Sequence, residues 1–215
     1  MTAASTSGTG RRAYSSALRQ EQASRTRARV LATATRLFGE RGWGATSMRD
    51  VAREAGVSVE TVYAAFGAKS DLLMAALDVA VVGDDRPVPL AERPDFAALG
   101  AGRREERLAA MARLVTGIHE RTAGVNLALR ECARSDEALD RAMRRRESDR
   151  WRNVKEGLSL VLGHEAPETL VDTCWAVIDI GVYRALTDLR GWSAERYEGW
   201  LAGAVDAVIH GSTDA

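Results

Sequence analysis

The sequence has no long hydrophobic run. Apolar stretches such as Val79 to Gly83 and Leu158 to Gly163 fall far short of the roughly 18 residues that a membrane-crossing helix needs, so no integral membrane protein is expected. The N-terminal segment has two adjacent arginines with no apolar stretch behind them, which is not the build of a secretory leader, and a cytoplasmic location is expected. Cysteine is scarce. Cys132 and Cys174 stand in helical patterns and in no CxxC spacing, which argues against a zinc site and a disulfide framework and leaves both as buried small apolar side chains. Strand-like alternation with β-branched enrichment is missing as well, so the expected fold class is all-α. His119, His164 and His210 fall in different helices or breaks, with no GxSxG, HExxH or GxGxxG pattern near them. No catalytic site, metal or cofactor is therefore expected, and the chain reads as a non-enzyme.

An excess of charge of one sign is also absent, since 30 Lys and Arg balance 30 Asp and Glu. The distribution is more informative than the total. Residues 1–70 carry eleven basic against five acidic side chains, and residues 71–215 carry nineteen against twenty-five. A basic end joined to an acidic body suggests a phosphate-facing module attached to a part with another job.

Proline and glycine punctuate the chain sparsely enough to show its divisions. Residues 1–23, rich in Ser, Thr, Gly and Ala and carrying Arg11, Arg12 and Arg19, are expected to be a disordered basic arm. Ser24 is expected to cap a first helix whose apolar positions Val30, Leu31, Ala34, Leu37 and Phe38 recur at helical spacing until Gly39, Gly42 and Gly44. A first domain over 24–82 follows. Three of the four prolines, Pro87, Pro89 and Pro94, fall within 83–102, which reads as a linker. A second helical domain covers 103–215, with helices expected near 103–121, 124–133, 136–162, 167–190 and 194–210. Ser135 and Ser193, each followed by acidic residues, are expected as caps. The clustered arginines 141, 144, 145, 146, 150 and 152 alternate with Glu147 and Asp149 and read as a solvated face.

The most informative stretch is TSMRDVAREAGVSVETVYAAFGAKSDLL, residues 46–73. Ser47 can cap a short helix with Val51, Ala52 and Ala55 inward, Gly56 supplies the positive φ of a tight turn, and Val57 fills the gap between two helices. Ser58 caps the second helix, which buries Val62 and Phe66 and leaves Val59, Glu60, Thr61, Tyr63 and Ala64 more exposed. Gly67 closes it, and Lys69 opens a further helix ending near Val82. A short helix, a Gly-containing turn and a second helix form the shape that places a recognition helix in the major groove. The run from Arg36 to Leu73 resembles the DNA-binding domain of the TetR (tetracycline repressor) family, with Tyr63, Phe66 and Lys69 at that family's Tyr, Phe and Lys places. Chemically, Ser47, Tyr63 and Lys69 suit phosphate, while Arg49, Val59, Glu60 and Thr61 are base-edge candidates. Glu60 departs from the family's habit of a small or basic residue there; it either accepts from a cytosine amino group or simply favours the dipole of its own helix.

The resemblance implies a C-terminal ligand-sensing and dimerisation domain and, usually, a repressor released from a palindromic operator by a small-molecule effector. A ligand-independent DNA-binding or architectural protein of the same fold is the alternative. The Gly191-Trp192-Ser193 run, with Tyr197, Trp200 and Leu201 after it, resembles the last helices of many such regulators. Two apolar stripes, one holding Val171, Trp175, Ile178, Val182 and Leu189 and the other Tyr197, Trp200, Leu201, Ala204, Val205 and Val208, are wide for one domain. By the resemblance they pair with their copies in a homodimer, so Trp175, Val182, Tyr197, Trp200, Leu201 and Val208 are the interface candidates. Asp179 lies in the otherwise apolar run CWAVIDIGVY, one turn from Trp175 and Tyr183, and needs a partner there: Arg184 or Arg130, an interface contact, or a cationic ligand. His119 and Trp151 complete the candidate pocket liners, each open to the plainer reading of core or surface.

Overall fold

A computed structural model describes residues 8–133 and 137–211, with side chains from Leu18 onward except at positions 19 and 138. Among the described residues the chain is helical throughout, with no strand. The family of helices is α1 (Gly8–Arg41), α2 (Met48–Ala55), α3 (Val59–Phe66), α4 (Lys69–Val82), α5 (Pro94–Ala97), α6 (Arg104–Ala133), α7 (Glu137–Leu162), α8 (Glu168–Val177), α9 (Ile180–Arg184) and α10 (Ala194–Gly211).

Helix α1 begins at Gly8, sixteen residues before the expected cap. From Gly8 to Phe38 it contains no proline and is rich in Arg and Ala, strong helix formers that let the helix packed from Val30 onward extend toward its N-terminus. Glu21 and Arg25 add an i,i+4 ion pair at 2.6 Å. Ser24 is thus an exposed residue within the helix, and the disordered arm expected over residues 1–23 is corrected from Gly8 on. Residues 1–7 and the side chains of Arg11, Arg12 and Arg19 lie outside what is described, as does the expected cap at Ser135.

Two cores follow. The first joins Val30, Leu31, Leu37 and Phe38 of α1 to Val51 of α2, Val62 of α3, Leu72 and Leu73 of α4, and Val125, Ala128, Leu129 and Cys132 at the end of α6. The second joins Phe96, Leu99, Met111, Leu158, Cys174, Tyr197 and Leu201. Both cysteines are buried, and burial pushes the Cys174 thiol up to about 11. Helix α6 belongs to both cores. The expected break at Arg121-Thr122 is absent because neither residue breaks a helix: Thr122 returns its hydroxyl to the carbonyl of Ile118 at 2.8 Å, inside its own turn. The guanidinium of Arg121 instead donates to the carbonyls of Ala80 and Val81, at 2.8 and 3.1 Å. There it satisfies and electrostatically complements the C-terminus of α4.

Helices α1 and α6 cross at Gly39 and Gly124. A Cβ on Gly124 would stand 2.5 Å from the Gly39 Cα, so the backbones approach to a distance that requires glycine at position 124.

The proline-rich segment is not a free linker. A 3₁₀ turn over Leu90–Glu92, then α5 and a second 3₁₀ turn over Ala98–Gly100, press Phe96 and Leu99 into the second core, where they are 3% and 2% exposed. Residues 83–102 are a strap belonging to the second core, held by a bidentate Arg93–Asp84 pair at 2.8 and 2.9 Å. The single helix expected over 167–190 is also corrected. It breaks after Val177, where Asp179 adopts an extended backbone and caps α9, its carboxylate accepting from the Gly181 N–H at 2.7 Å; a π turn over Ala185–Leu189 follows. No helix among the described residues is long and apolar enough to cross a membrane.

Candidate functional site

The N-terminal unit presents α3 through short-range geometry. Ser47 caps α2, accepting from the Asp50 N–H at 3.1 Å, while the Asp50 carboxylate accepts in return from the Ser47 N–H at 3.2 Å and the Ser47 hydroxyl at 2.5 Å. That hydroxyl, with Arg53 next, lowers the Asp50 pKa. Gly56 takes φ 65° and ψ 40°, the left-handed turn that ends α2. Ser58 caps α3, accepting from the Thr61 N–H at 3.2 Å. The unit is braced from α1: Arg36 and Arg41 both reach Glu54 of α2, at 2.5 and 2.7 Å, and the Arg27 guanidinium lies 4.5 Å over the Phe66 ring.

Arg49, Glu60, Thr61 and Tyr63 are all exposed on α2 and α3, with Tyr63 53% exposed. Val59 is different, since it is half-buried and packs against the first core. Lys69, a phosphate candidate by its chemistry, is engaged within the fold. Its ammonium donates to the Trp43 carbonyl at 2.5 Å and sits 3.9 Å over the Trp43 ring, and burial lowers its pKa. The Trp43 and Gly44 N–H groups in turn donate to the Glu131 carboxylate of α6, at 3.0 and 3.3 Å. The α1–α2 loop is therefore held from both α4 and α6.

A cavity of about 610 Å³ opens between α4, the strap, α6, α7 and the α8–α9 break. Leu77 and Val81 of α4, Phe96 and Leu99 of the strap, Ile118 of α6 and Leu158 of α7 supply apolar wall. His119 and Asp179 reach it at one end. His119 is 5% exposed and shares a hydrogen bond between its Nδ1 and the Tyr197 hydroxyl at 3.2 Å. Burial, with the Arg150 charge second, pushes its pKa down to about 4, so the imidazole is neutral at physiological pH.

Residues 30–76 match the family model described as bacterial regulatory proteins, tetR family. The match takes in the end of α1, all of α2 and α3, and the first part of α4. Solved structures extend the likeness in fold to the body. A TetR-family transcriptional regulator from a Rhodococcus species is 23% identical with a TM-score of 0.63, covering 86% of this chain and 100% of that one. A transcriptional regulator from Rhodococcus sp. Rha1 is 21% identical with a TM-score of 0.61, covering 85% and 95%. A TetR-like regulator from Rhodococcus sp. RHA1 reaches a TM-score of 0.52 at 16% identity, over 85% and 94%. No curated protein sequence matches the chain. The fold shared with these structures is an all-α helix-turn-helix domain followed by a helical body.

Within the helical body, the candidate ligand residues separate. His119 and Asp179 line the cavity, whereas Trp151, Trp175 and Tyr183 do not. Trp151 donates to Asp172 at 2.8 Å and so ties α7 to α8; Tyr183 packs edge-on against Tyr197 at 4.9 Å; Trp175 lies under the Arg150 guanidinium at 4.4 Å. Asp179 pairs with Arg150 at 3.7 Å, not with Arg184, which goes to Asp188. Arg146 and Arg150 therefore leave the solvated face expected of the arginine run: Arg146 crosses to Asp78 of α4, and both line the cavity. Sequence reasoning missed the strap, α4 and Asn126 and Asn153 as wall residues. The signal was present in Val88, Leu90, Phe96 and Leu99, an apolar set too rich for a solvated linker.

The interface candidates also divide. Tyr197 and Leu201 are 0% exposed within their own subunit, so they cannot be presented to a partner, and the expected role is corrected. Val182, Trp175, Trp200 and Val208 are half-buried. The outward side of α10 carries Gly199 and Gly203, where an added Cβ would meet no atom within 4 Å.

Proposed function

We propose that the chain is a repressor that grips a roughly palindromic operator as a homodimer and releases it when a small molecule fills the cavity. One observation carries this reading. Helix α6 lines the cavity from Met111 to Asn126 and continues without a break into the first core, where Glu131 holds the loop leading into α2. Helix α4, which closes the DNA-binding domain, lines the same cavity through Leu77, Val81 and Val82. A molecule that parts α4 from α6 and α7 acts on the Arg121 clamp and the Arg146–Asp78 pair, and so shifts the helix-turn-helix, provided it binds the two arrangements unequally.

In this reading Arg49, Glu60 and Thr61 read base edges, and Ser47 and Tyr63 meet phosphate. Val59 and Lys69 act as supports: one packs under α3, the other pins Trp43. The dimer forms through the outward faces of α8 and α10, and a two-fold axis presents two copies of α3 to successive major grooves. The reading assigns no reaction to the chain and places it in the cytoplasm with its DNA. Duplexes selected from a random pool should contain inverted half-sites about one helical turn apart when footprinted. A single unrepeated half-site rejects the dimer. Genes beside the mapped sites should rise in expression when this regulator is deleted, and a fall rejects repression.

A further inference from the structure

The cavity wall carries several charges, and the protein answers each of them itself. Arg146 pairs with Asp78, Asp149 with Arg152, and Arg86 with Asp84 at 2.8 Å. Arg150 is the most heavily committed: it meets Glu147 at 2.9 Å and Asp179 at 3.7 Å and donates to the carbonyls of Trp175 and Ile178 at 3.0 and 3.3 Å. Its face lies on the Trp175 ring. Asp179 spends its other oxygen on the Gly181 N–H, and His119 is neutral. An ionic guest would have to shed its hydration without gaining a counter-charge, or break a pair already made; both are costly in an apolar enclosure.

Two polar groups remain open. The Asn153 carboxamide on α7 lines the cavity with no hydrogen-bond partner among the described residues. Asn126 on α6 donates to the Thr122 carbonyl at 3.1 Å, which leaves its own carbonyl oxygen as an acceptor. Thr122 spends its hydroxyl on the Ile118 carbonyl, the remaining side chains of the wall are aliphatic or aromatic, and about 610 Å³ is room for a drug-sized molecule. We infer that the cavity takes an uncharged, mostly apolar molecule bearing one or two hydrogen-bonding groups, such as a hydroxyl or carbonyl, that meet Asn153 and Asn126. The inference rests on the reading of the cavity as the effector site.

Three probes with the same ten-carbon alkyl chain test it by titration calorimetry on the full chain at neutral pH: 1-decanol, undecanoate and decylammonium. They share the apolar contribution and differ only in the head group. Decanol should bind saturably, one per subunit, at least about tenfold more tightly than either ion. Asn153→Leu should weaken decanol by about fivefold through the lost hydrogen bond. Asn153→Trp should abolish binding by filling the space, with α-helical circular dichroism unchanged because the position is half-exposed. If either ion bound as tightly as decanol, and Asn153→Trp abolished that binding, the cavity would stand as an effector site and the inferred class would be wrong. If none of the three bound, or Asn153→Trp left binding untouched, the reading of the cavity itself would fall.

Discussion

The crossing of α1 and α6 makes the sharpest demand on stability, because one alanine tests it from each side. In Gly124→Ala the new Cβ lies 2.5 Å from the Gly39 Cα and 2.9 Å from its carbonyl oxygen, where carbon contacts normally settle near 3.5–4.0 Å. The obstacle is backbone, so no rotamer change relieves it, and the helices must part by about 1 Å. Overpacking of this kind costs about 1–3 kcal/mol, and a clash with backbone belongs at the upper end. Replacing a mid-helix glycine by alanine returns up to about 1 kcal/mol of helix propensity. The net loss is about 2 kcal/mol, which for a chain of this size lowers Tm by about 4–8 °C. Gly39→Ala is the control: its Cβ meets Gly124 at 3.7 Å, an ordinary contact, so propensity alone acts and stability should hold or rise by up to about 1 kcal/mol. Thermal and urea unfolding of both variants decide the matter. A Gly124→Ala protein as stable as the parent, or a Gly39→Ala protein that loses as much as its counterpart, refutes the close crossing.

Three further outcomes are expected. Thr61→Ala should cost on the order of 1 kcal/mol at one base pair per half-site and leave the salt dependence of operator binding unchanged, whereas Lys69→Ala should lose about 1–2 kcal/mol of fold stability with the Trp43 contacts; binding isotherms at several salt concentrations and denaturation curves separate the two. His119 has its folded pKa depressed to about 4 from 6.5, so the unfolded chain binds the proton more readily. Its contribution is whole above about pH 6.5 and is lost as pH falls toward 4, a loss of about 3 kcal/mol. In His119→Phe that part of the pH dependence of unfolding should vanish, and an unaltered profile would show the imidazole accessible to protons in the fold. Gly203→Arg, placed where no atom of its own subunit stands within 4 Å, should yield a folded monomer by light scattering, and a persistent dimer would move the interface elsewhere.

The helix-turn-helix was legible because its determinants are neighbours in the chain. Ser47 and Ser58 cap, Gly56 turns, and Val51, Val62 and Phe66 face inward, each within a few residues of the group it serves. Periodicity likewise showed which faces of α8 and α10 are buried, yet it is blind to what covers them. Tyr197 and Leu201 satisfy the same stripe whether they meet a partner or their own α6, and only packing showed that they turn inward. Local signs misled where a second influence outweighed them. The lack of an apolar stripe before Ser24 concealed the N-terminal turns of α1, and three prolines concealed a strap anchored by Phe96 and Leu99.

Sequence by itself determined the all-α class, the tight turn and the exposed face of α3, because these follow from hydrogen bonds and side-chain spacing that span one turn of helix. Only the tertiary structure decided that Lys69 is pinned to Trp43, that Asp179 ends a helix and meets Arg150, and that α4, the strap, α6 and α7 enclose one space. Those groups are separated by tens of residues along the chain. Whether a charge is answered or a wall is apolar depends on which of them folding brings within a few ångströms, and no local pattern encodes that distance.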